Sequence, residues 1–297
     1  MSELAGGLRH ALDPVGWAAA VLGFEPDAVQ AEVIGSRKKR ILLNCCRQWG
    51  KSTTAAARAV HQALFVPESL IMAVSPTLRQ TAELLRKMKD ILERVGVRPR
   101  PDGFNPVSLR LENGSRMVGV PAVESSVRGF SSVDLLIVDE AARVKDDLYL
   151  ALRPTMAVPR RGRPGTLILM STPFGQRGFF WDIWSNKDKE IAEKWLRVQV
   201  RATECPRISE EFLREELRSL GEHWFKQEYH CVFQEPKWRI FTDDLIQRAL
   251  TPNLEPLFWQ DGEVEPKADA NDWLWKGTIE VNKQFSPGGP VIPSRVK

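Results

Sequence analysis

No apolar run in this 297-residue chain approaches the roughly 20 residues that a membrane-spanning helix needs. The longest, such as Leu135-Leu136-Ile137-Val138, are strand-length, which excludes a helical membrane protein. Residues 1–23 lack a basic start followed by an apolar block and a small-residue cleavage site, so secretion is not expected. An excess of one charge is missing too. The 42 Lys+Arg and 38 Asp+Glu leave a net +4, mildly basic and compatible with nucleic acid without arguing for it. The four cysteines, Cys45, Cys46, Cys205 and Cys231, offer no short metal-ligand pair, and free thiols in a reducing compartment are the expectation. Internal repeats and low-complexity blocks are absent. What is present, 43% hydrophobic and 27% charged residues, is ordinary globular composition and rules out disorder of the whole chain. The length suits one large domain, alone or with a small appendage.

Along the chain, strand-like and helix-like segments alternate. The Ala-rich stretch Leu8 to Leu22 predicts one helix. Ile41–Cys45 predicts a buried strand, and Gly50-Lys51-Ser52 opens a helix to about Leu64. Leu70–Ser75 is a second buried strand. Leu78, Ala82, Leu85, Met88, Leu92 and Val95 then recur at helical spacing. Ser108–Glu112 and Arg116–Pro121 flank Asn113-Gly114, a hairpin signal. Leu135–Val138, Leu167–Met170 and Trp195–Val200 are further strands, with a helical reading for 146–157. This alternation predicts an α/β layered fold with a mainly parallel sheet. From about Pro252 the texture changes. Six prolines fall among residues 251–297, with seven acids against five bases, which reads as a tail or very small appendage.

Three strand tips carry chemistry. Arg47-Gln48-Trp49-Gly50-Lys51-Ser52 lies between a strand and a helix. A bound triphosphate needs backbone N–H groups at a helix start, a lysine on the β/γ phosphates and a hydroxyl for Mg²⁺. Gly50, Lys51 and Ser52 supply these in order, or Thr53 in place of Ser52 if the register slips by one. Cys45 stands where the general pattern has its first glycine, and taken alone the segment also reads as a basic helix start. Asp139-Glu140 ends a buried strand. An acid there suits Mg²⁺, and the glutamate suits orienting or deprotonating a water, although alone it also reads as a solvated acidic turn. With Lys51 and an intervening strand upstream, the pair marks an ATPase of the P-loop NTPase class with an additional strand and a catalytic glutamate. Ser171-Thr172-Pro173 ends a further strand, where polar residues would lie beside a γ-phosphate; alone it is also an ordinary Ser/Thr-Pro turn.

Together these segments resemble the ATPase domain of the large terminase subunit, the DNA-packaging motor of tailed bacteriophages. Phe24-Glu25-Pro26-Asp27 with Gln30 resembles the family's upstream adenine-recognition motif, and the segment from Arg47 to Ser52 its phosphate loop, where the first glycine is often absent. Ser75-Pro76-Thr77 with Gln80, Val127-Arg128-Gly129 and Ser171-Thr172-Pro173 resemble further family segments, and the likeness runs from about residue 20 to 245. The resemblance implies that Gln30 reads adenine within a nucleotide site of Gln30, Arg47, Gln48, Trp49, Gly50, Lys51, Ser52 and Thr53. Ser52 and Asp139 would ligate Mg²⁺, and Glu140 would be the catalytic carboxylate. Arg47 would contact the γ-phosphate from within the subunit. Arg128 would serve as an arginine finger into a neighbouring subunit, with a salt-bridged surface arginine as the alternative. Ser171 and Thr172 would couple hydrolysis to motion.

The same resemblance implies ATP and Mg²⁺ as cofactors, and double-stranded DNA, a portal protein and a small terminase subunit as partners. It further implies a homo-oligomeric ring on the procapsid, action in the host bacterial cytoplasm, and no membrane partner. Residues 1–250 would form the ATPase domain, with an N-terminal helix at 8–22 and linker helices at 205–250. The family's RNase H-like nuclease is not recognised in 251–297. Asp269 and Asp272 sit in a polar stretch, and Asp243-Asp244 read as a helix start. Truncation, a split gene with a separate nuclease, or divergence remain open. Two other readings stand beside the motor. One is a non-catalytic relic that keeps the nucleotide fold. The other is a superfamily 2-like helicase, disfavoured because fewer than about 100 residues follow the last core strand, less than a usual second lobe. Weaker features are the basic runs Arg37–Arg40 and Arg160–Arg163, which suit phosphate backbones or solvated loops, and a His223/His230/Cys231/Cys205 set whose spacing fits no usual zinc pattern.

Overall fold

Strands buried on both faces must be covered by helices on both faces, and their side chains alternate between two cores. The computed structural model describes residues 2–160 and 162–235, all within one unit, Met1–Thr242. Its sheet runs β3-β4-β2-β5-β6-β1-β7. The strands are β1 (Arg40–Cys45), β2 (Leu70–Ser75), β3 (Ser108–Arg110), β4 (Arg116–Pro121), β5 (Leu135–Asp139), β6 (Thr166–Ser171) and β7 (Trp195–Val200). Every pairing is parallel except β3 with β4, the expected hairpin around Asn113-Gly114. β6 lies between β1 and β5. The strand tip that carries Ser171 therefore separates the phosphate loop from the acidic pair.

Ile41, Leu43, Ile71, Ala73, Leu135, Ile137, Ile168 and Met170 face one core. It is covered by α2 (Pro14–Leu22), α3 (Ala28–Gly35), α4 (Lys51–Phe65) and α5 (Leu78–Arg94). The intervening Leu42, Met72, Leu136, Val138, Leu167 and Leu169 face the second core. That core is closed by α7 (Asp146–Leu152) and α8 (Gly178–Ser185). The short α6 (Glu124–Val127) and α9 (Lys189–Lys194) lie on connections. α5 approaches β4 so closely that a Cβ on Gly119 would lie 2.7 Å from Thr81 Cγ2 and 2.9 Å from Val107 Cγ1.

Several expectations are corrected. The stretch Leu8–Leu22 is two helices, α1 (Ser2–Leu12) and α2, not one. Pro14 lacks the N–H a continuous helix would use and restricts Asp13, whose side chain instead caps Gly16 N at 2.8 Å. The buried face of α5 is centred on Leu84, Leu85, Met88, Ile91 and Leu92, while Leu78 is exposed. Thr77 and Gln80 form the capping box that starts this helix. In α10 (Glu210–Glu228), Gly221 takes φ 74° and kinks the segment within the expected linker region; Phe225 is buried there but Trp224 is exposed. All four cysteines are free and buried. Residues 236–250, the Asp243-Asp244 helix start, Asp269, Asp272 and the rest of 251–297 lie outside the described residues.

Candidate functional site

Parallel strands bring their carboxyl ends to one edge. The register pairs Asn44 with Ser171 and Asp139 with Met170, so the tips of β1, β6 and β5 are level. A cavity of about 770 Å³ opens at this edge beside the start of α4. The loop into α4 turns through Gln48 at φ 64° and Gly50 at φ 106°. A side chain at Gly50 would be strained in that conformation and would place its Cβ 3.0 Å from Gln30 Nε2. The first-turn N–H groups of α4, which have no intrahelical acceptors, open beside the cavity with Lys51, Ser52 and Thr53. Lys51 Nζ donates to the carbonyls of Cys45 (2.9 Å) and Cys46 (2.8 Å). The loop is braced from α3. Gln30 Nε2 donates to the Trp49 carbonyl at 3.1 Å, and buried Trp49 donates its indole N–H to Asp27 Oδ2 at 3.0 Å. Arg207 donates to the same Trp49 carbonyl.

Across the cavity stand the two acids. Asp139 Oδ1 accepts the Glu140 N–H at 2.9 Å, and Glu140 takes the left-handed conformation at φ 51°. Burial, reinforced by the neighbouring Glu140 charge and partly offset by Lys51, pushes the Asp139 carboxyl up to about 6. Glu140 Oε2 accepts from Arg143 at 2.9 Å and from Ser171 Oγ at 3.4 Å. Arg143 also donates to Thr172 Oγ1 (3.3 Å) and to Glu228 Oε1 (3.2 Å), and lies over the Phe174 ring at 4.8 Å. The other oxygen of Glu228 accepts from Arg47 Nε at 3.0 Å. One chain of charge-assisted bonds therefore joins the phosphate loop, the end of α10, the acidic strand tip and the tip of β6.

Residues 42–248 match the family described as "Terminase large subunit, T4likevirus-type, N-terminal". The chain belongs to the terminase large subunit family. Among curated terminase large subunits, that of Escherichia phage T5 is 23% identical over 77% of this chain and 52% of its own length. That of Thermus phage G20c is 28% identical over 54% of this chain and 36% of its own. The chain thus spans about half or less of the length of these relatives. Among solved structures, the Thermus phage P74-26 large terminase ATPase domain superposes with a TM-score of 0.64 at 22% identity, covering 75% of this chain and all of that one. The HK97 bacteriophage large terminase gives 0.55 at 14% identity, over 80% of this chain and 50% of that one. These likenesses show a P-loop NTPase fold of the terminase kind, in line with the α/β class expected from the sequence.

In this terminase chain the cavity is lined by Gln30, Arg47, Gln48, Trp49, Gly50, Lys51, Ser52, Thr53, Asp139 and Glu140. Ser171 and Thr172 adjoin it through Glu140 and Arg143. Arg128 is not among the lining residues; it is exposed and paired with Glu124. Each end of the Gln30 amide makes one bond, Oε1 accepting the Asp27 N–H at 3.0 Å in a capping box and Nε2 donating to Trp49, which leaves one N–H and one lone pair. Sequence reasoning missed Arg143, and also Lys87 and Arg207, which line the cavity from α5 and from the loop before α10. Arg143 lies three residues after Glu140, a spacing that brings side chains together in a helical turn, and that was its one available signal.

Proposed function

We propose that this chain carries the ATP-hydrolysing motor of a phage DNA-packaging terminase, with residues 1–250 as the motor unit and 251–297 as an appendage. The observation that carries the reading is the meeting of Lys51, Ser52, Asp139 and Glu140 around one cavity at level strand tips. The donor set fits the implied cofactors: amides at a helix start, an ammonium, one hydroxyl and one carboxylate match a triphosphate with Mg²⁺, which favours few carboxylates plus phosphate oxygens. Mg²⁺ there would neutralise phosphate charge. Ser52 and Asp139 would hold it, with Asp139 ionised. Lys51 would exchange the Cys45 and Cys46 carbonyls for phosphate oxygens. Glu140 would orient the attacking water and take its proton. Arg47 would face the γ-phosphate from within the subunit, and Arg128, exposed on its own surface, would complete a neighbour's site in a ring. Gln30 would hold the loop through Trp49 and would read adenine with the second N–H of Nε2 or the second lone pair of Oε1. Ser171 and Thr172, tied to Glu140 and Arg143, would pass the change at the γ-phosphate to the rest of the unit.

The proposed partners are double-stranded DNA, a portal protein and a small terminase subunit in the host cytoplasm; among the described residues no helix is long and apolar enough to cross a membrane. The test is ATP hydrolysis with and without linear duplex DNA, beside Lys51→Ala and Glu140→Gln. Turnover stimulated by duplex and lost in both variants is expected. Tight ATP binding without turnover by the wild-type protein under ring-forming conditions would sink the motor. Mixing Arg128→Ala with Glu140→Gln subunits should restore activity if the arginine acts between subunits. Plasmid incubated with Mg²⁺ or Mn²⁺ should stay uncut.

A further inference from the structure

The basic run 37–40 and the arginines Arg160 and Arg163, far apart in sequence, meet at the opposite end of the sheet. The Lys39 carbonyl accepts the Leu167 N–H at 2.9 Å, and Arg40 donates to the Gly165 carbonyl at 3.2 Å. Between them, at the amino ends of β1, β5 and β6, lies a pocket of about 280 Å³ whose cationic lining is Arg37, Lys39, Arg58 and Arg163. Among the described residues no carboxylate forms an ion pair with any of the four. The acid in the pocket, Asp134, is already taken by Arg160 at 3.2 Å and by the Leu70 N–H at 2.8 Å. Nearby Asp13 is engaged in capping α2. Arg58 is anchored by donating to the carbonyls of Val33, Ile34 and Ser36 at the end of α3, which leaves its charge without an acid and its buried Nε without a partner. Burial, and then the like charges of Arg58, Arg163 and Arg40, hold the Lys39 ammonium below its usual range.

Four like charges gathered around a concavity repel one another, and a bound polyanion relieves that repulsion. We propose that this pocket and its exposed flanks grip the phosphodiester backbone of duplex DNA. The proposal rests on the motor reading, which supplies duplex as the polyanion. Backbone contacts of this kind give affinity without sequence reading, as packaging of a whole genome requires. The placement also serves a motor. Six residues of β1 separate the pocket from the phosphate loop, about 20 Å at strand rise. Helix α4 begins at Lys51 and presents Arg58 to the pocket about 10 Å further along its axis. One helix thus touches both sites.

The test uses the full chain and the triple variant Arg37→Gln/Lys39→Gln/Arg163→Gln, with a short mixed-sequence linear duplex as probe and affinity measured across a salt series. Each lost phosphate contact should lower the slope of log K against log salt by about 0.9, so the triple variant should lose about 2.7. Basal ATP turnover should stay as in the wild type, because none of the three lines the nucleotide cavity, and the melting temperature should not fall, because the variant sheds mutual repulsion. A wild-type slope in the variant overturns the site while leaving the motor reading intact. The expected loss of slope in a protein that never hydrolyses ATP leaves the site standing and overturns the motor reading. A wild-type protein with no affinity for duplex overturns the site as well.

Discussion

Replacing Asp139 by asparagine should make the free protein more stable at neutral pH while removing its ATPase activity. The carboxyl is half-buried at the tip of β5 and pushed up to about 6, by burial first and by Glu140 second. Folding therefore favours its protonated form. The stability this confers is complete below the unfolded value near 3.8 and is lost as pH rises through about 6. At pH 7 the gap corresponds to a penalty of at most about 3 kcal/mol, which partial solvent access reduces to about 1–2 kcal/mol. Asparagine keeps the acceptor for the Glu140 N–H and carries no charge, so that penalty should vanish. Urea unfolding in chelator should show the variant ahead by this amount near pH 7 and level with the wild type near pH 4. Excess Mg²⁺ and ATP should reverse the order, because the wild type gains ligand-binding stability that the variant lacks. Below saturating Mg²⁺ and ATP, the same titration should give wild-type kcat/KM an acid limb near pH 6. A variant no more stable than the wild type near pH 7 would refute the account of Asp139 as a charge held at a cost for metal binding.

Other expectations are equally direct. Glu140→Gln should lower turnover by about 10²–10⁴ with ATP still bound, whereas Lys51→Ala should lose nucleotide binding itself, as read by titration calorimetry. Arg143→Ala removes charge-assisted bonds to Glu140, Glu228 and Thr172, so it should cost about 1.5–3 kcal/mol in unfolding free energy. It should also lower kcat more than it changes KM, with partial rescue by Arg143→Lys; an unchanged kcat would rule out a positioning role. Gly119→Ala drives a methyl into Thr81 and Val107 and should destabilise by about 1–3 kcal/mol in thermal unfolding.

Much of the fold was legible because its signals are local. Strands such as Leu135–Val138 and Leu167–Met170 announce themselves by unbroken burial, and the phosphate loop by a glycine before a lysine at a helix start. The break at Asp13-Pro14 is equally local, but the Ala-rich pattern that spans it reads as one helix. The face of α5 was misplaced by including Leu78, because periodicity fixes a stripe on a helix but not the rotation at which β4 meets it.

The residues alone determined the succession of strands, the strand tips that carry Lys51, Asp139 and Ser171, and the family, since each depends on chemistry within a few residues. The tertiary structure decided which charges meet. Arg143 and Arg47 share Glu228 from segments 85 and 181 residues away, and basic residues from two separate runs join around Lys39. Neighbours in sequence are set by covalent geometry. Partners across such separations are set by strand order and by the desolvation that makes an unpaired charge costly, and neither is written in any local pattern.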